Sequence, residues 1–230
     1  MACTPTCRDR WTRCLRFRVP PYPPAMKTDN PLLPDGYSPI PAGKLVNAVT
    51  FVEMCERPAP SRAAIGTSAF AISRWRSPDL DAYRTLFRAV GEDWLWCSRL
   101  GLTDEELTAV LSDPGIELFV LHDGDARIGL LELDFREDQE CEITWFGVVR
   151  DAIGKGAGRF MMDFAIDTAW AHPIRRLWLH TCSFDHPDAV AFYRRSGFRP
   201  YAFMVEVEND PRLAGLLPRT AAPQIPLLER

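Results

Sequence analysis

A cluster of glycines between a strand pattern and a helix pattern most constrains what this chain can fold into. Gly154, Gly156 and Gly158 fall within five positions. The residues before them, 141–149, are β-branched and aromatic, as in a strand, whereas residues 159–171 carry apolar side chains at helical spacing. Glycines let the backbone turn tightly, and the first turn of a helix offers unpaired amides and a positive dipole end. The segment therefore predicts a cradle for a phosphate group.

Two familiar glycine loops fit this segment poorly. A Walker loop needs a hydroxyl residue after its lysine, but Lys155 lies between two glycines. The dinucleotide fingerprint G-x-G-x-x-G needs its third glycine one position beyond Gly158. A nucleotide-dependent oxidoreductase would also need the next strand to end in an acidic residue, whereas the strand from Arg176 ends at His180, Thr181 and Cys182. A nucleotide-dependent oxidoreductase therefore fits the sequence poorly, and we keep it only as an alternative function from a different class of enzyme.

The glycine loop is one of two motifs that occur in a fitting order and spacing. Gly156 and Gly158 fill the small-residue positions of the pattern Q/R-x-x-G-x-G/A, and residues 189–198 match A-x-x-F/L-Y-x-x-x-G-F. Over residues 92–208 the chain therefore resembles the GNAT N-acetyltransferases, whose first motif binds the pyrophosphate of coenzyme A. Ile153 departs from the family's Gln or Arg, so a side-chain contribution is missing there. The candidate sources of positive charge are Lys155, Arg150 and Arg159.

This resemblance implies an α/β (α+β) fold with a mixed, mostly antiparallel central sheet and helices on both faces. A capping box of Thr103 and Glu106 predicts the start of one helix, and Gly124 between two aspartates predicts a hairpin. The predicted strands are residues 45–55, 69–75, 116–122, 126–135, 139–149, 176–181 and 198–207. The predicted helices are residues 78–90, a second from 103, a third over 159–171 and a fourth over 187–196.

Composition divides the chain into three parts. Residues 1–43 hold nine of the 20 prolines and three of the seven cysteines, which predicts a disordered, proline-rich leader. Residues 44–208 are predicted to form the acetyltransferase domain, and residues 209–230 a C-terminal tail. The cysteines of the leader lack the paired spacing of a zinc site, and we expect no metal.

The charge of the chain argues against one class of partner. Net charge is −4, but five arginines against one aspartate give residues 1–26 a charge of +4, which leaves −8 on the remainder. An acidic body argues against a nucleic-acid surface and is compatible with a cationic amine substrate. No stretch approaches the roughly 20 apolar residues of a membrane span. We therefore expect a cytoplasmic monomer or homodimer that binds neither nucleic acid nor membrane.

The resemblance implies transfer of the acetyl group from acetyl-CoA directly to a primary amine of a small molecule or peptide. Glu142, on the strand before the loop, takes the place of the family's general base, with His180 or His186 as the other candidates. Tyr193 matches the tyrosine that donates a proton to the departing thiolate. The alternative within the family is a degenerate domain that binds acyl-CoA as a regulatory module without turnover.

The resemblance also implies which residues meet the two substrates. A main-chain N–H at Val148 or Val149 is expected to stabilise the oxyanion of the thioester carbonyl. Acetyl-CoA is expected to contact the glycine loop and its flanks, that is Val148, Val149, Arg150, Gly154, Lys155, Gly156, Ala157, Gly158 and Arg159. The acceptor amine is expected to meet two aromatic side chains, two carboxylates and a histidine, namely Trp94, Trp96, Glu132, Asp134 and His186.

Alternation on the strand before the loop predicts which side chains share a face. Successive side chains of a regular strand point to opposite faces. One face would carry Glu142, Thr144, Phe146 and Val148, and the other Cys141, Ile143, Trp145 and Gly147.

Overall fold

The computed structural model describes three parts of the chain, which are residue 30, residues 32–58 and residues 70–229. The chain divides into two units, residues 1–39 and residues 40–230. In the first unit, residue 30 and residues 32–39 are exposed and form no helix or strand. Most of the predicted leader, residues 1–43, lies outside the described residues. The domain boundaries predicted after residues 43 and 208 stay predictions.

Seven strands and four α-helices make up the regular structure of the described residues in the second unit. The strands are β1 (Lys44–Met54), β2 (Phe70–Arg74), β3 (Ile116–Asp123), β4 (Ala126–Asp134), β5 (Glu140–Val148), β6 (Arg176–Cys182) and β7 (Arg199–Asn209). The helices are α1 (Leu80–Gly91), α2 (Asp104–Leu111), α3 (Ala157–Ala171) and α4 (Ala189–Arg195). Each corresponds to a predicted element, and the predicted capping box of Thr103 and Glu106 is present at the start of α2.

All seven strands belong to one sheet, in the order β2-β3-β4-β5-β6-β1-β7. The pair β5–β6 is parallel, and the other neighbouring pairs are antiparallel. The predicted mixed, mostly antiparallel sheet is therefore confirmed. The first strand along the chain, β1, lies between β6 and β7, so it completes the half of the sheet that follows the glycine loop.

Helices cover both faces of the sheet, as predicted. Helix α3 packs on one face, which we call the α3 face, through Met161, Ala165 and their neighbours. Helix α1 packs on the opposite face, which we call the α1 face. Its side chains Tyr83, Phe87 and Val90 are buried there, because apolar residues at a spacing of three or four form a stripe along the helix. Among the described residues, we find no helix with the length and apolar character that a membrane crossing requires.

A β-bulge in β5 overturns the predicted alternation of its side chains. Ile143 pairs with Leu133 on β4, but the next paired residue, Trp145, faces Glu132, so Thr144 is an extra residue. A bulge shifts every later side chain to the opposite face. The predicted assignment of β5 side chains to the two faces is therefore wrong beyond Ile143. The α3 face carries Cys141, Ile143, Phe146 and Val148, and the α1 face carries Glu142, Trp145 and Gly147.

The residues after β7 return to the domain and pack on it. Arg212 is only 3% exposed, and its guanidinium pairs with both carboxylate oxygens of Asp210 at 3.0 and 2.7 Å. It also donates to the carbonyl oxygens of Ala221, Ile225 and Pro226. A buried ion pair is stable only when its remaining hydrogen-bonding groups are satisfied. Arg212 therefore ties the C-terminal segment into a loop against the sheet.

Replacing Arg212 with alanine is expected to lower the free energy of unfolding by about 3–5 kcal/mol, because Asp210 would keep a buried, unpaired charge. The matched control is Arg219→Ala, since the ion pair of Arg219 with Glu229 is 57% and 48% exposed and should contribute at most about 1 kcal/mol. Urea unfolding of the two variants measures the difference. Equal losses in both would contradict the anchoring role.

Candidate functional site

A gap opens where β5 and β6 part. Residues 140–142 of β5 pair with residues 176–178 of β6, and no pairing of the two strands continues beyond them in the described chain. On its other edge β5 stays paired with β4 as far as Val148. The backbone of residues 143–148 therefore has one edge open towards β6, and its polar groups there are available to a ligand.

The amide of Val148 points into this gap. The next amide, that of Val149, donates to the carbonyl oxygen of Ile128 at 2.8 Å, on the β4 side. Successive amides along a strand point to opposite edges. Of the two predicted oxyanion donors, Val149 is thus occupied within the sheet, and Val148 has the amide directed at the open edge.

The glycine loop follows β5 directly. A 3₁₀ turn, Arg150–Ala152, leads to Gly154 with φ 79° and Gly156 with φ 87°. Both glycines lie in the left-handed region of backbone conformation, which residues with a Cβ adopt only at a cost of roughly 1–2 kcal/mol. A Cβ built at either one meets no atom within 4 Å. The loop therefore borders open space.

The unpaired amides of this corner lie on the helix side of the loop. The amides of Ala152, Ile153 and Lys155 donate to carbonyls within the turn. The first bond of the helix runs from the amide of Phe160 to the carbonyl oxygen of Gly156, at 3.0 Å. Four consecutive amides have no acceptor in the part of the chain that the structure describes, those of Gly156, Ala157, Gly158 and Arg159. Such a group at the positive end of a helix dipole binds anions.

Two of the three basic side chains around the loop are already paired. Arg150 contacts Asp93 at 2.6 Å, and Arg159 contacts Asp163 at 2.9 Å. Lys155, at the exposed tip, has no carboxylate partner within the described residues. Ile153, where the family has Gln or Arg, is 38% exposed. Lys155 is therefore the cation that can meet an incoming phosphate without breaking an ion pair.

Tyr193 lies on the α3 face beside the open part of β5. The bulge turns Phe146 to this face, where the ring centroids of Phe146 and Tyr193 are 6.2 Å apart. The tyrosine is 8% exposed. Burial, with a smaller contribution from the charge of Asp185, raises the pKa of Tyr193. The phenol therefore keeps its proton at neutral pH.

Glu142 and His180, two of the predicted bases, lie side by side. The carboxylate oxygen Oε1 of Glu142 is 3.6 Å from Nδ1 of His180. Burial opposes the charged imidazolium, but the hydrogen bond and charge of Glu142, with the charges of Asp185 and Glu206, outweigh it and raise the pKa of His180. Because Glu142 lies on the α1 face and Tyr193 on the α3 face, the gap has a proton acceptor on one side and a proton donor on the other.

Trp94 and His186 meet at one end of the site. Their ring centroids are 5.8 Å apart in an edge-on arrangement. Nδ1 of His186 accepts a hydrogen bond from the amide of Asp188 just before α4. Trp94 follows Asp93, the partner of Arg150. These two predicted acceptor-binding residues therefore lie next to the entrance of the glycine loop.

Trp96 packs inside the domain. Its ring lies 4.7 Å from that of Trp145 and 5.5 Å from that of Phe87. A Cβ at Gly91 would lie 2.4 Å from Cβ of Trp96, and a Cβ at Gly147 would lie 2.9 Å from its indole, so both glycines make room for this side chain. The packing role of Trp96 is evident, and its predicted contact with the acceptor stays a prediction.

The two carboxylates predicted to hold the acceptor are neutralised within the protein. Glu132 is fully buried, with an oxygen 2.5 Å from Nη2 of Arg99. Asp134 pairs with Arg136 at the end of β4. A carboxylate that already has a guanidinium partner attracts a second cation weakly. The structure brings neither of them to the gap with an unpaired charge.

Cys182 is not suited to act as a nucleophile. Burial, followed by the charge of Asp185, raises the pKa of its thiol to about 12. The reactive form of cysteine is the thiolate, which this site disfavours at neutral pH.

Two acidic residues that the sequence analysis missed lie on β7. Glu206 and Glu208 are half-buried, whereas Val205 and Val207 between them are 47% and 51% exposed. The buried side chain of Asn47 donates to both, at 3.1 Å to Glu206 and 3.4 Å to Glu208. Burial, followed by the charge of Glu206, raises the pKa of Glu208 to about 7. The only signal in the sequence was the alternation of valine and glutamate.

Replacing Glu208 with glutamine is expected to stabilise the protein more at pH 8 than at pH 5. The pKa is higher in the folded chain than in the unfolded chain, so between pH of about 4.5 and about 7 the folded state holds a proton that the unfolded chain has released. Across this window the carboxyl group lowers the free energy of unfolding, on the order of 1–2 kcal/mol after solvent screening. Glutamine does not titrate.

Thermal unfolding of the wild type and of the Glu208→Gln variant at pH 5 and pH 8 measures this difference. The control is Glu105→Gln, an exposed glutamate on α2, for which the two pH values should give the same shift in Tm. A shift for Glu208→Gln that does not change with pH would contradict the raised pKa.

Comparison with known proteins adds to this geometry. The model of the acetyltransferase (GNAT) family matches residues 78–198, more than half of the chain. This range runs from the residues before α1 to the end of the second motif and contains the gap, the glycine loop and Tyr193. A search of the curated proteins found no match to the sequence.

Solved structures share the fold at low sequence identity. A GCN5-related N-acetyltransferase from Sphaerobacter thermophilus superposes with a TM-score of 0.55 at 15% identity, over 71% of this chain and 52% of its own. A conserved protein of unknown function from Staphylococcus epidermidis gives 0.52 at 16%, over 73% and 63%. The chain thus spans between half and two thirds of these two structures. At such identities the likeness concerns the fold alone.

Proposed function

The chain belongs to the acetyltransferase (GNAT) family, and we propose that it moves the acetyl group of acetyl-CoA directly to a primary amine of a small molecule or peptide. One observation carries this proposal. The open edge of β5 has the glycine loop at its end, Tyr193 on one face and the Glu142–His180 pair on the other. These are the parts that acyl transfer from a thioester requires.

The glycine loop fits the diphosphate of coenzyme A. The unpaired amides from Gly156 to Arg159 offer donors to the phosphate oxygens, and Lys155 adds a charge at the tip. The positive φ angles of Gly154 and Gly156 hold the amides in this orientation. The lack of Gln or Arg at Ile153 removes a side chain but none of these backbone donors. Bound in this way, the pantetheine arm would run along the open edge of β5.

In the proposed reaction, the amine lone pair forms a bond to the thioester carbonyl carbon. The amide of Val148 stabilises the oxygen while it carries negative charge. The carbon–sulfur bond then breaks, and the departing thiolate takes the phenolic proton of Tyr193. The proton that leaves the amine nitrogen goes to Glu142, directly or through His180, and solvent returns a proton to the tyrosine. No covalent intermediate with the protein forms.

A regulatory module that binds acyl-CoA without turnover is the second candidate. The departure at Ile153 favours it, whereas a protonated Tyr193 beside the gap favours catalysis. The two differ in one measurement, the release of coenzyme A from acetyl-CoA in the presence of amines. A module would bind acetyl-CoA and release no thiol with any amine tested.

Substitution of the proposed acid and base is expected to slow turnover and to leave the affinity for acetyl-CoA unchanged. Tyr193→Phe and Glu142→Gln should each lower kcat by about 10²–10⁴-fold, the usual contribution of general acid–base catalysis. A thiol-release assay gives kcat, and calorimetric titration with acetyl-CoA gives the affinity. Wild-type rates in both variants would refute the assigned roles.

The glycine loop has a matched control elsewhere in the chain. Gly156→Ala is expected to raise the KM for acetyl-CoA at least about tenfold, because a Cβ strains the left-handed backbone and moves the amides. Gly124, in the β3–β4 hairpin, also has a positive φ and open space around it. Gly124→Ala should carry similar strain and leave the KM unchanged. Equal KM changes in the two variants would show that the loop does not bind the co-substrate.

A further inference from the structure

Past the Glu142–His180 pair, the α1 face of the sheet extends over β6, β1 and β7, and we call this stretch the groove. His180 lies opposite Phe51 on β1, and Glu206 on β7 lies opposite Asn47 on the same strand. Phe51, Val49 and Asn47 are two residues apart and therefore share one face. The distance along β1 from Phe51 to Asn47 is about 13 Å at 3.3 Å per residue. The groove thus has Glu142 and His180 at one end and the β7 glutamates at the other.

Both ends of the groove have carboxyl groups, and the floor between them is apolar. The floor is formed by Val49, which is 5% exposed, and by half-buried Phe51. No lysine, arginine or histidine of the described residues lies within ion-pairing distance of Glu206 or Glu208. Asn47 donates to both of these carboxylates. Two half-buried carboxylates that share one amide group are costly to ionise together, which raises the pKa of Glu208, and a bound cation would relieve the same cost.

A second observation at the same place points to a ligand. Asn47 is 2% exposed, and its carbonyl oxygen has no hydrogen-bond partner in the described chain. The end of the groove therefore has three acceptor groups, the two carboxylates and the asparagine oxygen. A primary ammonium has three N–H donors, which matches this set. Among the described residues, no group of three His, Cys, Asp or Glu side chains is arranged to hold a metal ion.

We propose that the acceptor is a dication, whose reacting amine lies at Glu142 and His180 and whose second ammonium binds Glu206, Glu208 and Asn47. This inference rests on the proposed function and adds the substrate class. The chemical class is a flexible diamine or polyamine, with an aliphatic segment over Val49 and Phe51. An acceptor with a single amine would leave the distal carboxylates unmatched.

The pattern of exposed and half-buried side chains along β7 agrees with this role. On β7 the valines at 205 and 207 are turned to solvent, and the glutamates at 206 and 208 are turned inward. Burying the valines instead would stabilise the fold, because it removes apolar surface from water. The strand thus forgoes apolar burial to line the groove with carboxylates. A binding role accounts for this reversal.

The test compares diamines with monoamines of the same chain length. Rates of coenzyme A release are measured with 1,n-diaminoalkanes from four to ten carbons and with the corresponding alkylamines. The best diamine is expected to exceed its alkylamine at least about tenfold in kcat/KM, which equals 1.4 kcal/mol, and to show an optimum in length. The double variant Glu206→Gln/Glu208→Gln should reduce this ratio to within about twofold of one.

The control is Glu105→Gln, which removes one exposed charge on α2, away from the groove, and should leave the ratio unchanged. Equal ratios in the wild type and in the double variant would overturn the inference while leaving the proposed function intact. If no amine supports turnover, calorimetric titration of the diamine into the coenzyme A-bound protein decides the matter separately. Undiminished diamine binding in the double variant, or binding no tighter than that of the alkylamine, would then overturn it.

Discussion

The parting of β5 from β6 is the constraint on which the rest of the site depends. Two parallel strands that stay paired satisfy each other's backbone groups, but here the pairing ends after residues 140–142. The amides beyond that point need another partner, and the amide of Val148 is directed at the space between the strands. The glycine loop lies at the end of this opening, so a ligand anchored by its phosphates at α3 would extend along β5.

Because of the bulge at Thr144, the candidate catalytic side chains lie on opposite faces of the sheet. With regular alternation, Glu142 and Phe146 would share a face, and Phe146 would not reach Tyr193. The extra residue turns Phe146 towards α4 and leaves Glu142 with His180 on the opposite side. The proposed acid and base are thus separated by the thickness of the sheet. In the proposed reaction, a thioester between them would have a proton donor near its sulfur and a proton acceptor on the side of the incoming amine.

Local patterns in the sequence were sufficient for the elements of the fold and for the glycine loop, because spacing, caps and turn residues act within a few positions. They were insufficient wherever two distant segments meet. The bulge depends on how β5 pairs with β4, and no residue near Thr144 predicts it. The neutralisation of Glu132 depends on Arg99, more than thirty positions earlier. The valine–glutamate alternation of β7 was visible, but which side faces solvent depends on what covers the sheet there.

The position of β1 between β6 and β7 has a consequence for how the molecule assembles. Val49 pairs with Cys182 and with Met204, so β1, the first of the described strands to be synthesised, acquires both of its neighbours only after most of the domain has left the ribosome. Contacts of such long sequence separation slow folding, because loop-closure entropy is lost before the contacts form. Until then β1 is an unprotected hydrogen-bonding edge with apolar side chains, which chaperones recognise and other nascent chains can capture.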